Sequence, residues 1–410
     1  MPRPPLELTV REASGRIIAA LAARFRNLDL AEEALAEASL RAAETWPLDG
    51  LPRDPAAWLY RVAERCLLDS LRRQRREMGR ELDPPEPAPN AEEMLLDENR
   101  LIPDERLRLI FICCHPAVAA EARAALTLKL VCGLTTAEIA RAFLLTETTL
   151  AQRLVRAKRK IAEAGVSFEI PGQAHWPGRL DAVLSTVEIA YSKAHEDAAG
   201  AGPHAGFAAE MLDLTRALAE LLPQEPDVLA LAALIRFAEA RRPARVAPDG
   251  AMVPLSEQDP ALWRWPLIVE GRRYLSGALS GGASGPRVLQ ASVHGAWCAR
   301  RSLAEPAPWL RILELYDALL NWRDDAVIRL NRAVALAEVA GPQAALDDIA
   351  HLDADALAAF PPYHALRADL LRRLDRLAEA RAAYDAALDL NPPPAEALWL
   401  RRRRDGLQLS

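Results

Sequence analysis

The side chains best equipped for chemistry are cations and amides, gathered in two runs, "LRRQRR" at Leu71–Arg76 and "QRLVRAKRK" at Gln152–Lys160. Guanidinium and ammonium groups pair with phosphates, and arginine and glutamine make paired hydrogen bonds to the major-groove edges of guanine and adenine. This is the equipment of a nucleic-acid binder with two points of contact. A third cluster, Cys113, Cys114 and His115 in "FICCHPA", holds side chains able to ligate a metal or change redox state. No second ligand pair at zinc-site spacing follows it, so small, partly buried residues near the end of a core helix are expected there. No glycine-rich phosphate loop, metal-ligand set or nucleophile elbow occurs elsewhere, so neither catalysis, a metal nor a cofactor is expected.

The second basic run sits on an element whose ends are written in the sequence. Thr135 and Glu138 have capping-box spacing, which starts a helix at Thr136 and carries it to about Phe143. Thr146 is the next N-cap, and Glu147 faces the positive end of the following helix dipole. Two helices about a short turn make a helix-turn-helix. At 100° per residue, Leu150, Leu154, Ala157 and Ile161 share an inward face, while Thr148, Gln152, Arg156 and Arg159 project outward with Arg153, Lys158 and Lys160 on the flanks. Leu144 stands where such turns commonly carry glycine, and a turn held by the packing of that leucine is expected.

The first basic run closes the stretch "DPAAWLYRVAERCLLDSLRRQRR", where Asp54 is an N-cap and Pro55 the first helical residue. Before it lies "DLAEEALAEASLRAAETW", an amphipathic helix with an acidic face. Trp58 suits either of two roles, packing these helices together or stacking on a base.

Composition sets the frame for these motifs. Hydrophobic residues make up 51% of the 410 and aromatics only 5%, with alanine and leucine abundant and β-branched runs scarce, so an all-α fold in two or three domains is expected. The net charge of −6 hides the basic runs, because the acidic excess lies in the C-terminal part. Five cysteines suit no disulfide framework, and Cys66, Cys132 and Cys298 stand alone in helical contexts, so reduced thiols are expected. The N-terminal residues lack a signal-peptide core and no stretch has the ~20 apolar residues of a membrane span, which points to the cytoplasm.

Proline clusters divide the chain. A helical unit over 8–78 precedes a proline-rich acidic linker at 79–103 containing "GRELDPPEPAPNAEE". A second unit covers 104–165, a helical extension 180–300, and a repeat region 305–405. In the last, "ELYDALLNW" and "AAYDAALDL" place Tyr316 and Tyr384 two 34-residue periods apart, with "LNRAVALAEVAGPQAAL" between them. Ala333, Ala368, Ala380 and Ala387 suit tetratricopeptide (TPR) packing, and Asp375 takes the usual glycine position of the last repeat.

In content and order, "AEEALAEASLRA", "PAAWLYRVAERCLLDSLRR" and "TTAEIARAFLLTETTLAQRLVRAKRKI" resemble regions 2 and 4 of the extracytoplasmic-function (ECF) sigma factors of bacterial RNA polymerase. The resemblance implies a region 2 that binds the polymerase β′ clamp helices and opens the −10 element, and a region 4 that docks on the β flap and reads the −35 element. Carried onto this chain, Glu32, Glu33, Glu37 and Arg41 take the clamp-binding positions. Arg53, Asp54, Trp58, Arg61, Arg65, Arg72 and Arg73 take those of −10 recognition, and Thr148, Thr149, Gln152, Arg153, Arg156 and Arg159 those of −35 recognition. With "DERLRLIFICCHPA" and "LNRAVALAEVAGP" added, the chain resembles an ECF subgroup whose TPR-like extension is thought to regulate it in place of an anti-sigma factor. A small DGPF-type (YCII-related) protein is the partner that this subgroup implies. The other class open to these motifs is a TPR-containing helix-turn-helix regulator that binds DNA without ever joining polymerase.

Overall fold

The computed structural model of the chain describes residues 5–77, 102–131, 133–143, 145–166, 176–196, 207–282 and 284–407. Most of the acidic segment expected at 79–103, and Leu144 with its expected packed turn, lie outside these. The fold is all-α: small helical groupings are followed by a large helical C-terminal part, and among the described residues the β pairing is an isolated bridge between Val246 and Met252. The chain forms two compact units, Met1–Ala194 and His195–Ser410.

The first unit opens with α1 (Pro5–Phe25), α2 (Leu28–Asp49) and α3 (Pro55–Glu77). Asn27 caps α2 by accepting the Leu30 N–H at 3.0 Å, and Gly50, at φ 85°, ends it with its N–H on the Trp46 carbonyl. Asp54 caps α3 through the Ala57 N–H at 2.8 Å, with Pro55 as the first helical residue. Then come α4 (Ile102–Cys113), α5 (Ala120–Leu130), α6 (Thr136–Ala142), α7 (Glu147–Glu163) and α8 (Trp176–Glu196).

Helix α1 is buried around most of its circumference, through Ala13, Ser14, Ile17, Ile18, Ala19, Leu21 and Ala22. It packs against α2 and α3 and also against α4 and α5. The approach to the end of α5 is so close that a Cβ on Gly15 would lie 2.0 Å from the Val131 carbonyl oxygen. Glycine is therefore required where these two helices meet.

The second unit runs through α9 (Phe207–Leu221), α10 (Pro226–Arg241), α11 (Trp265–Leu279), α12 (Pro286–Trp297), α13 (Trp309–Leu320), α14 (Ala326–Val339), α15 (Pro342–Ile349), α16 (Ala354–Leu357), α17 (Pro361–Arg373), α18 (Leu377–Asp389) and α19 (Pro394–Asp405). Proline occupies the first turn of six of them, α10, α11, α12, α15, α17 and α19, where its missing N–H costs nothing. The small residues expected between repeats are all fully buried, with Ala333, Ala368, Ala380 and Ala387 each at 0% exposure. Asp375 sits at φ 61°, the left-handed conformation its glycine-like position demands, and the Arg376 N–H returns to the Leu371 carbonyl to close α17.

Helix α10 forms the centre of this unit, packed by α9, α11 and α12. The Phe237 ring lies in a slot that exists because Gly271 and Gly295 have no side chains: a Cβ on either would fall within 2.7 Å or 3.3 Å of the ring. Beside it Arg236 is wholly buried, yet its donors reach Glu270 at 2.8 Å, Thr215 Oγ1 and the Ala232 carbonyl at 3.1 Å, and the Leu212 carbonyl at 3.2 Å. The Tyr274 ring covers the guanidinium at 4.6 Å. A buried cation is tolerable only when its hydrogen bonds are met in this way.

A hairpin after α10 ties the start of the unit to its end. The Met252 N–H donates to the Ala395 carbonyl at 2.9 Å, and Arg402 and Arg403 of α19 reach Asp249 at 2.7 Å and Glu257 at 2.8 Å. Arg300 fixes the same strap by donating to the Ser256 carbonyl at 2.8 Å. Replacing Arg236 by alanine strips partners from Thr215 and Leu212 and opens a cavity. The expected cost is about 3 kcal/mol in the second unit, read as a lowered urea midpoint in circular dichroism with the first unit's transition unmoved.

Candidate nucleic-acid interface

Both capping predictions around the helix-turn-helix hold. Glu138 accepts the Thr135 N–H at 2.8 Å while Thr135 Oγ1 accepts the Glu138 N–H at 3.2 Å, and Thr146 Oγ1 accepts the Thr149 N–H at 3.2 Å. Each cap is worth about 1 kcal/mol and fixes where its helix starts, which sets which way every later side chain points. Helix α6 ends at Ala142, one residue short of the expected Phe143, and the Leu145 N–H returns to the Ala140 carbonyl at 2.9 Å.

With the start of α7 fixed, Leu150, Leu154, Ala157 and Ile161 are buried. Thr148, Gln152, Arg156 and Arg159 are exposed on the opposite face. Two of the expected contact residues are less free. Thr149 is half-buried with its hydroxyl 2.8 Å from Thr146 Oγ1, and Arg153 is half-buried.

Lys158 departs most from a solvated flank. Its side chain is 16% exposed and its ammonium forms ion pairs with Asp29 and, at 2.9 Å, with Glu32, both on α2. Burial alone would lower the lysine's pKa, but the hydrogen bonds and charges of the two carboxylates outweigh it and hold the pKa above the ordinary value. Sequence reasoning missed this contact, since Lys158 and Glu32 lie 126 residues apart and no local pattern links them.

On α2, Glu33, Glu37 and Arg41 are exposed, and Glu37 pairs with Arg41 at 3.2 Å across one helical turn. Leu40, Leu48 and Leu51 are exposed apolar residues on or just beyond the same helix, at 63%, 86% and 56%. On α3 and the loop before it, Arg53, Asp54, Arg61, Arg65, Arg72 and Arg73 are exposed, with Arg72 3.3 Å from Asp69. The Asp54 carboxylate is occupied as the cap of α3. Trp58 is half-buried, its ring edge-on to the buried Trp46 at 5.4 Å, so it joins α3 to α2 and keeps part of its surface in solvent.

The cysteine cluster is interior. Cys113 and Cys114 are buried free thiols, and Cys114 lies 3.9 Å from Thr127 Oγ1 with its thiol pushed up to about 11, chiefly by burial. His115 is drawn below its usual pKa by burial and by Arg179 and Arg123, and its Nδ1 accepts the Ala117 N–H at 3.2 Å. Among the described residues no group of three or more His, Cys, Asp or Glu is placed to hold a metal, and no helix is long and apolar enough to cross a membrane.

Three family models match the chain. They are sigma-70 region 2 over residues 10–77, sigma-70 region 4 over residues 108–161, and a family of unknown function over residues 179–279. An uncharacterized protein of Rhizobium meliloti (strain 1021) is 38% identical over 409 residues, spanning 98% of this chain and 96% of its own. No solved structure matches.

Since a buried thiol is out of reach of a reagent in solution, Cys66, Cys113, Cys114 and Cys298 are expected to stay unmodified by a disulfide reagent at pH 8 in the folded chain and to react after denaturation. Rapid native reaction of Cys113 or Cys114 would return the cluster to a metal or redox role.

Proposed function

Because the chain belongs to the sigma-70 family, as an ECF-like sigma factor carrying a C-terminal helical extension, we propose that it joins core RNA polymerase through the outer face of α2 and reads promoter DNA with α3 and α7. A role in transcription initiation, with core polymerase and promoter DNA as binding partners, is what these two regions supply. The observation that carries the finer reading is the division of α7, with its four apolar residues buried and Thr148, Gln152, Arg156 and Arg159 in solvent. A major groove about 12 Å wide admits such a helix, and an amide beside two guanidiniums is suited to purine edges and phosphates at the −35 element.

Region 2 supports the other half of the reading. Exposed charges and exposed leucines side by side on α2 suit a protein surface such as the β′ clamp helices better than water. The arginines at Arg53, Arg61, Arg65, Arg72 and Arg73 form a basic track for an unpaired −10 strand, and the solvent-facing part of Trp58 offers a stacking surface to a base. The β flap is the surface proposed for region 4. The TPR-like extension is proposed to regulate the sigma half, alone or with a small DGPF-type partner.

Replacing Gln152 or Arg156 by alanine is expected to lower promoter-specific run-off transcription with core polymerase by about tenfold each, the loss of one base contact worth ~1–3 kcal/mol, with polymerase binding unchanged. The pair Arg72→Ala and Arg73→Ala should weaken binding to all promoters alike and flatten its salt dependence by roughly 1.4 in log–log slope. Deleting residues 197–410, which leaves α8 intact, should change the activity. A rise marks inhibition by the extension, a fall marks a required surface, and unchanged activity overturns its regulatory role.

A further inference from the structure

Helix α7 carries an apolar side chain where its own folding asks for none. Val155 is 61% exposed and stands outside the buried row of Leu150, Leu154, Ala157 and Ile161. Valine is also a weaker helix former than alanine, lysine or glutamine, because its branched side chain is held stiff against the preceding turn. Neither packing nor propensity accounts for it. A single exposed valine would mean little by itself, but this one has a particular place. At about 100° per residue it lies about 20° from Thr148 and about 40° from both Ala151 and Arg159 around the helix axis. Ala151 is exposed as well. Thr148 has its hydroxyl 3.0 Å from Thr146 Oγ1 at the cap, so its methyl is the group left to meet a ligand. Thr148, Ala151 and Val155 therefore form a methyl-bearing strip about 10 Å long, at about 1.5 Å of rise per residue. Gln152, Arg156 and Arg159, all exposed, run along one side of it.

We propose that Val155, with the methyl groups of Ala151 and Thr148 beside it, reads thymine in the −35 element. The C5-methyl of thymine is the apolar group that a base pair presents in the major groove, and alanine and threonine methyls are among the side-chain groups that meet it. The border of the strip favours DNA over a protein. Gln152, Arg156 and Arg159 suit base edges and phosphates, and among the described residues of α7 Val155 is the only large apolar side chain exposed, too little to anchor a protein partner. The helix then divides its outward face between two kinds of readout: an amide and guanidiniums for purines, methyl groups for thymines. At 3.4 Å per base pair, a strip of about 10 Å covers about three pairs. Thymine is therefore read within a window of about three positions, next to the adenine or guanine that Gln152 and Arg156 contact. This inference rests on the sigma-factor reading above and adds to it the base that one further residue selects.

The test uses the full chain joined to core polymerase. A promoter is first enriched by this holoenzyme from a DNA library randomised over the −35 region. It is then rebuilt with deoxyuridine in place of each thymine in turn, which removes the C5-methyl and leaves base pairing unchanged. At one or more positions inside a three-pair window, formation of the promoter complex is expected to weaken about fourfold, the worth of one buried methyl-sized group. With Val155→Ala, thymine and deoxyuridine should bind alike at such a position, which is the signature of a direct pairing between that side chain and that methyl. Alanine is the better helix former, so a loss of discrimination is not a loss of α7. An enriched element without thymine in that window, equal binding of thymine and deoxyuridine by the wild type, or an undiminished thymine preference in Val155→Ala would each overturn the methyl readout while leaving the sigma-factor reading intact. Weaker binding of Val155→Ala to core polymerase without DNA would also overturn it, by assigning the strip to polymerase. A wild-type chain that forms no holoenzyme, or a holoenzyme that enriches no −35 sequence, would overturn the sigma-factor reading and the methyl readout with it.

Discussion

The first unit depends on α1, whose buried side chains face several neighbours at once. Ala13, Ser14, Ile17, Ile18, Ala19, Leu21 and Ala22 go nearly around the helix, so it must be covered on several sides at once. One set of neighbours is α2 and α3, the other α4 and α5, and the absence of a side chain at Gly15 lets the second set come close. Burying one leucine-sized side chain is worth about 1.5–3 kcal/mol. A shared apolar helix therefore holds the two groups of helices together more firmly than any surface ion pair, and the Lys158 pairs add a smaller contribution at the edge of that contact.

What the sequence told in advance was local. The caps at Asp54, Thr135 and Thr146, and the inward row Leu150, Leu154, Ala157 and Ile161, are set by bonds and periodicities spanning a few residues, and all take their expected places. Asp375 was legible for the same reason, as a glycine-like position in a repeat, and its left-handed backbone bears this out. Contacts between distant segments were not legible. Lys158 belongs by spacing to a solvated flank and is instead folded against α2, because its pairing depends on tertiary placement rather than on its own helix. Trp58 suits packing or stacking by its sequence position alone; the packing partner, Trp46, is a tertiary neighbour, and the part of the ring left in solvent keeps the second role open. Arg236 carries no sequence mark of burial at all, since arginine on a helix ordinarily belongs to solvent.

The two units solve the problem of charge inside a helical protein differently. In the second, Arg236 is surrounded by carbonyls, a hydroxyl, a carboxylate and a tyrosine ring, so the cation is a fixed part of the core. In the first, Lys158 has only two carboxylates, both on one helix, and moving α7 away returns all three groups to water. A guanidinium with all three nitrogens engaged resists rearrangement, while an ammonium held at a seam can be released.

The strap from residues 245–258 to α19 has a consequence in time. An open stack of repeats can fold as it is made, each hairpin adding to the last. Here Met252, Asp249 and Glu257 wait for Ala395, Arg402 and Arg403, so the C-terminal unit cannot close until its final helix has been synthesised. At about 5–20 residues per second, the ribosome needs roughly 10–40 s to make that unit after Ala194. For that interval every new molecule is a completed first unit trailing an unfinished second one, whose last helix must arrive before the strap can form.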